Sequence, residues 1–199
     1  MQKEITNKIN KDILDLKVKS QVLVDEPAKF LSVKRYECTL NNGDKMMREK
    51  LFKNGKEGNS VIILARTNTQ KFLLNVEPKP FCEQGFTFNF PAGYIENSET
   101  PERAGERELK EETGYTASTF EIIKSYYQDL GVSSAINYIV FADNVKKVQN
   151  QHLDKDEYVH FYEFTFLEIQ ELLNMKYICE APQILAFMKL EEFLKNCKR

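Results

Sequence analysis

The sequence predicts an α+β fold or α/β/α sandwich, and three observations carry that reading. Short runs rich in β-branched and aromatic residues, separated by Asn-Gly and Pro/Gly clusters, recur between Phe30 and Phe90. One highly charged helix then opens at Thr100-Pro101 and closes at Gly114. After further strand-like runs, apolar residues return at helical spacing only beyond Thr165.

Taken in order, Ile5, Ile9, Ile13 and Leu16 fall on one face of an amphipathic N-terminal helix with lysines elsewhere. Docking of that face onto the domain is the preferred reading, ahead of membrane-surface attachment. Phe30 to Leu40 and Lys45 to Phe52 form a β-hairpin, with Asn42-Gly43 suited to a tight type I′ turn. Turn signals at Asn54-Gly55 and Gly58-Asn59 divide the chain into an N-terminal extension, 1–58, and a main domain, 59–199. Strands follow at Val61 to Arg66, Phe72 to Val76 and Phe86 to Phe90, the last running into Pro91-Ala92-Gly93. Beyond the charged helix, strands are expected over Thr116 to Gln128, Ala135 to Ala142 and Tyr158 to Phe164. A polar, mobile loop is expected at Val148 to Asp156. Thr165 and Glu168 form a capping-box pair that opens a short helix. Ala181, Ile184, Leu185 and Met188 give the apolar face of a last helix, with Pro182 in its first turn.

Composition narrows the function classes. In 199 residues, 42% are hydrophobic and 29% charged, which is globular, and a net charge of −2 gives no electrostatic case for nucleic acid. No apolar run approaches the roughly 20 residues that span a bilayer, and Met1 to Ser20 lacks the apolar core of a secretory signal. The expectation is a cytoplasmic protein with no membrane partner. Cys38, Cys82, Cys179 and Cys197 are dispersed and His152 and His160 are the two histidines, so a zinc site is not expected.

The chemistry concentrates on the central helix. Glu108, Glu111 and Glu112 share one side with Ala104 at i, i+3, i+4 spacing, where like charges repel. Arg107 and Lys110 lie on other faces, and little apolar surface remains for packing. A hard divalent cation, Mg²⁺ with Mn²⁺ as a substitute, supplies the missing charge and bridges to phosphates.

From Gly93 to Tyr115 the chain resembles the Nudix box, Gly-x5-Glu-x7-Arg-Glu-U-x-Glu-Glu-x-Gly-U, where U is bulky and apolar. The matching residues are Gly93, Glu99, Arg107, Glu108, Leu109, Glu111, Glu112, Gly114 and Tyr115. The resemblance implies a Nudix-type α/β/α sandwich with a mixed β-sheet, carrying an N-terminal helix and hairpin extension. It further implies hydrolysis of a nucleoside diphosphate linked to another group. Glu108, Glu111, Glu112 and the Ala92 carbonyl would bind the metal, with Glu111 and Glu112 also catalytic, and Glu99 and Arg107 would pair to fix the loop on the helix. Gly93 and Gly114 are structural in the motif.

Phe90-Pro91-Ala92-Gly93 and the Glu-Glu-Thr-Gly-Tyr ending look like the ADP-ribose (ADP-sugar) pyrophosphatase branch, which implies a homodimer exchanging N-terminal strands. Two positions depart from that branch. Leu130-Gly131 stands where Pro-Gly is usual, and Lys79 stands in a loop that usually offers an arginine. Lys79 could hold a phosphate, without the two-pronged geometry of arginine. The branch places its base in a late acidic loop, here Asp154 to Glu157, with Glu157 the first choice and Asp156 the second. Phe30, Tyr36 and Phe52 are the aromatic candidates for an adenine face, there being no tryptophan. Two other readings stay open: another nucleotide as substrate, and a nucleotide-sensing module without turnover. Three carboxylates are more than a pure binder needs.

Overall fold

The structure is a computed structural model that describes Ile13 and residues 15–196. The predicted N-terminal helix therefore falls largely outside the described residues, although Ile13 and Leu16 pack against the core. Strands β1 (Leu31–Thr39) and β2 (Lys45–Lys53) pair antiparallel as a two-stranded sheet of their own. Their connection differs from the expected type I′ turn, which needs positive φ at both central residues. Only Gly43 is left-handed there (φ 90°), and Leu40 and Asp44 close a three-residue loop through the Leu40 amide.

The main sheet contains β3 (Ser60–Thr67), β4 (Phe72–Pro78), β5 (Phe86–Asn89), β6 (Ala92–Tyr94), β7 (Tyr115–Thr116), β8 (Phe120–Tyr127), β9 (Ile136–Lys147) and β10 (His160–Phe164). Its spine runs β10-β4-β3-β9-β7, with β5 beside β4, β6 beside β3 and β8 beside β9. The sheet is mixed because β3 and β9 run parallel, from Ser60 opposite Asn137 to Thr67 opposite Val145, while the other pairs are antiparallel. The helices are α1 (Pro101–Thr113), α2 (Phe166–Asn174) and α3 (Ala181–Asn196).

Two-residue periodicity covers both faces of this sheet. Val61, Ile63 and Ala65 of β3 join Val140 and Ala142 of β9 under Ala104 and Leu109 of α1. Their neighbours Ile62, Leu64, Ile139 and Phe141 face the other way, against Ile169 and Leu172 of α2 and Ala186, Phe187 and Leu190 of α3. These are the three layers of the predicted sandwich. The capping box of α2 is present, with Thr165 Oγ1 accepting from the Glu168 amide and Glu168 accepting from the Thr165 amide.

Two predicted strand boundaries move, and one helix face turns. The run expected over Thr116 to Gln128 splits into β7 and β8, and β9 extends to Lys147 because its far end still pairs with β3 and β7. The buried face of α3 is Gln183, Ala186, Phe187 and Leu190, whereas Ile184 and Met188 are exposed. The helical period is right and its phase is wrong, for a physical reason. Gln183 is buried because its Oε1 accepts from the Phe90 amide (2.9 Å) and its Nε2 donates to the Phe90 carbonyl. A hydropathy reading assigns a glutamine to solvent, but a hydrogen-bonded one is stable inside.

Candidate active site

The site forms where the chain leaves β5, turns at Phe90-Pro91 and enters β6 directly beneath α1. Thr100 caps α1 by accepting from the Arg103 amide, Pro101 fills the first turn, and Gly114 ends it at φ 77°. Gly93 lies so near the helix that a Cβ placed there would sit 2.0 Å from the Glu108 carboxyl carbon. With Glu108 where it stands, only glycine admits that approach.

Arg107 organises the loop between β6 and α1. Its Nε and Nη2 hold the two carboxylate oxygens of Glu99 at 3.1 and 3.0 Å, and Nη2 also donates to the Tyr94 carbonyl at 2.9 Å. Glu99 in turn accepts from the Glu96 amide. The helical wheel puts Arg107 away from the Glu108, Glu111 and Glu112 side, but its side chain is long enough to return. Nη1 lies 2.8 Å from Glu108 Oε1 and 3.1 Å from Glu111 Oε2.

Glu112 points the other way, into the protein. It is buried and accepts from the Ala92 amide at 3.1 Å. Burial holds its carboxyl well above the usual carboxylate range, with Glu108 and Glu77 adding to the push. Burial also raises Glu108, to about 7, against the pull of Arg107; Glu111 and Glu157 reinforce the rise. One guanidinium is thus shared by Glu99, Glu108 and Glu111, while no cation among the described residues pairs with Glu112.

Burying ionised carboxylates is costly unless a counter-charge accompanies them. As these side chains stand, no three acidic, histidine or cysteine groups among the described residues are gathered closely enough to hold an ion. Arg107 occupies the space between two of them. The donor chemistry nevertheless fits a hard divalent cation, because all the available groups are oxygens and their combined charge exceeds what Arg107 offsets.

A cavity of about 590 Å³ opens over this surface. Glu108, Glu111, Ala92, Gly93 and Arg107 form its floor, and Glu157 and Asp154 reach it from the loop before β10. Phe30 lies on the opposite wall against Tyr94, with ring centres 6.0 Å apart, and Lys53 sits 5.5 Å over the Tyr94 ring. Burial pulls the Lys53 ammonium pKa down. Of the three predicted aromatic candidates, only Phe30 lines the cavity. Tyr36 is exposed on the hairpin, and Phe52 is buried beneath the ammonium groups of Lys34 and Lys50.

Lys79 does not line the cavity either. It pairs with Glu180 at 3.1 Å and Glu77 at 3.4 Å and lines a separate, smaller pocket. Burial lowers its pKa, but the two carboxylates outweigh that and leave it raised. Sequence reasoning missed Tyr94, Lys53, Lys56 and His152 as cavity residues. Tyr94 had a usable signal, following the motif glycine directly. The other three are brought in by the hairpin's exit and by a loop remote in sequence.

The family model for the NUDIX domain matches residues 56–187, more than half of the chain. The chain belongs to the Nudix family. This Nudix chain is 30% identical over 165 residues to the ADP-ribose pyrophosphatase of Bacillus subtilis (strain 168), covering 81% of this chain and 86% of that protein. It is also 30% identical over 163 residues to the methanol dehydrogenase activator of Bacillus methanolicus, covering 80% and 85%. Among solved structures, an ADP compounds hydrolase superimposes with a TM-score of 0.73 at 21% identity, covering 86% of this chain and 90% of that one, so the two share a fold. The protein is a Nudix pyrophosphohydrolase. Enzymes of this family act on small nucleotide substrates and generally use a divalent metal ion. No helix among the described residues is long and apolar enough to cross a membrane.

Proposed function

We propose that this Nudix enzyme hydrolyses the diphosphate linkage of a nucleoside diphosphate sugar, with ADP-ribose the leading substrate, giving AMP and ribose 5-phosphate in a Mg²⁺-dependent reaction. The observation that carries this reading is the floor of acidic groups under a nucleotide-sized cavity, with Glu108 and Glu112 both pushed toward protonation by burial. Glu108, Glu111, Glu112 and the Ala92 carbonyl are the groups that would hold the ion, with Mn²⁺ as a substitute. When bound, Mg²⁺ offsets the charge of the diphosphate oxygens and makes a neighbouring water easier to deprotonate.

The chain's own residues supply the rest. Phe30 and Tyr94 offer an aromatic wall for the base. Lys53 and Lys56 line the cavity as partners for phosphate oxygens. Glu157 takes the proton from the attacking water, whose oxygen bonds to one phosphorus as that atom's bond to the bridging oxygen breaks. The bridging oxygen leaves with the other phosphate. Gly93, Glu99, Arg107 and Gly114 hold the frame. Residues 1–58, with the β1–β2 hairpin at their centre, serve recognition and dimerisation, and the working unit is a cytoplasmic homodimer.

A panel of nucleotide sugars, nucleoside triphosphates, dinucleoside polyphosphates and coenzymes tests the reading, with products separated by chromatography. AMP released from ADP-ribose at the highest kcat/KM is the expected result, and inertness toward every nucleotide sugar would refute it. Glu112→Gln should lower kcat by about 10²-fold or more while leaving the thermal transition in place. The methanol dehydrogenase activator, equally similar in identity, motivates a second reading in which this chain acts on a partner enzyme. An inert panel would favour it.

A further inference from the structure

The loop between β9 and β10 is attached to α1 with unusual thoroughness. The last carbonyls of a helix have no partner within it and need donors from elsewhere. Here the loop provides them. The Val148 and Gln149 amides donate to Gly114 O at 2.8 and 3.2 Å, and the His152 amide donates to Glu111 O at 2.8 Å. The side chain of Gln151 reaches further. Its Nε2 donates both to Glu112 O and to Val159 O, the latter at 3.0 Å. Both partners are carbonyls, which only accept, so the orientation of the amide is unambiguous.

That one side chain therefore joins three things. Glu112 is the buried carboxylate of the helix, Val159 is the residue before β10, and the Asp154–Glu157 turn lies on the stretch between Gln151 and Val159. The turn is internally closed, the Glu157 amide donating to Asp154 O and the Asp154 amide to Glu157 Oε2, both at 3.0 Å. These two bonds tie its ends to each other. Among the described residues, the side-chain braces from this loop onto the α1 backbone are Gln151 and a weaker Gln149 contact at 3.4 Å.

We propose that Gln151 is a positioning residue that holds the Glu157 turn at a fixed distance from the acidic face of α1, so that metal carboxylates and base form one rigid unit. This rests on Glu157 acting as the base in the reaction proposed above. Gln151 touches neither substrate nor ion. It acts by closing both ends of the loop onto the backbone of a residue that carries a metal carboxylate.

The test uses the full chain with Gln151→Ala and Gln151→Glu, the latter keeping the shape but removing both donated hydrogens. Three quantities are read: hydrogen exchange in peptides spanning 152–158, Mn²⁺ affinity by calorimetry, and kcat and KM on the best substrate of the panel. The expected result is faster exchange confined to 152–158, kcat lowered about 10- to 100-fold, and KM and Mn²⁺ affinity changed by about twofold or less. Unchanged exchange would overturn the tether. Faster exchange with wild-type kcat would overturn the positioning role, as would a kcat loss that merely follows weakened Mn²⁺ binding or a lowered fraction folded. Should the wild-type chain prove inert on every nucleotide, the proposed reaction fails, and the exchange measurement still decides the tether by itself.

Discussion

Gly93 shows how a single absent atom shapes the site. A β-carbon there would lie 2.0 Å from the Glu108 carboxyl carbon, at the far end of a side chain, so the backbone need not move but the carboxylate must. Gly93→Ala should leave the melting temperature within a few degrees of wild type and weaken Mn²⁺ binding about tenfold or more, as calorimetry would register. A variant with wild-type Mn²⁺ affinity would show that Glu108 is not a ligand. At this scale the sequence was informative about identity and poor about direction. It placed Glu108, Glu111 and Glu112 on one helix side, whereas the structure sets Glu108 and Glu111 in the cavity floor and turns Glu112 into the protein. It could not show Arg107 folding back onto Glu108 and Glu111, because a wheel projects α-carbons and ignores the reach of a guanidinium. Nor could it give Lys79 its actual neighbours, Glu77 and Glu180, since Glu180 is remote in the chain.

Elements were legible where their signals were local. The α1 caps, the α2 capping box and the buried strands β3 to β5, bounded by turn residues, depend on residues a few positions apart, and they lie where the sequence puts them. The α3 face was misread because burial there is decided by a partner from β5's exit, the Phe90 backbone, and not by hydropathy. That contact has an energetic consequence. Gln183→Ala leaves the Phe90 amide and carbonyl without these partners in a buried position, at a cost of about 1–3 kcal/mol. Denaturant titration should show a lower midpoint at unchanged slope. A midpoint equal to wild type would mean that water or a neighbour replaces the amide. Because Phe90 immediately precedes Pro91-Ala92-Gly93, the same variant should also lower kcat beyond its effect on the folded fraction.

At the scale of the whole molecule, the three layers could be anticipated from the sequence, whereas the attachment of the hairpin could not. It is fixed to the loop before β9 by the Leu51 amide donating to Val132 O at 2.7 Å, and by Glu57, which accepts from both Lys50 and Ser134. These links join a turn signal near residue 57 to a loop nearly eighty positions later, beyond the range of any periodicity. The hairpin carries Val33 and Met47 on one face and Tyr36 on the other, and the segment before it carries Val22, Leu23 and Val24, all exposed in one chain. Apolar surface of this kind is what the proposed homodimer would cover. Light scattering at micromolar concentration should give twice the 23.3 kDa of one chain, and Val33→Glu should return the mass to that of one chain. A monomeric wild type would remove the homodimer from the reading.

The parallel pairing of β3 with β9 also governs when the enzyme comes into being. Ser60 meets Asn137 across an intervening stretch that includes the whole of β4 to β8 and α1. Such distant partners pay the entropy of closing a long loop before any contact rewards them. On the ribosome, a nascent chain that has just released the Nudix box has its acidic helix without the strand that completes the sheet beneath it. Catalytic competence must therefore wait until β9, the Gln151 loop and Gln183 have emerged to close the fold around residues made long before.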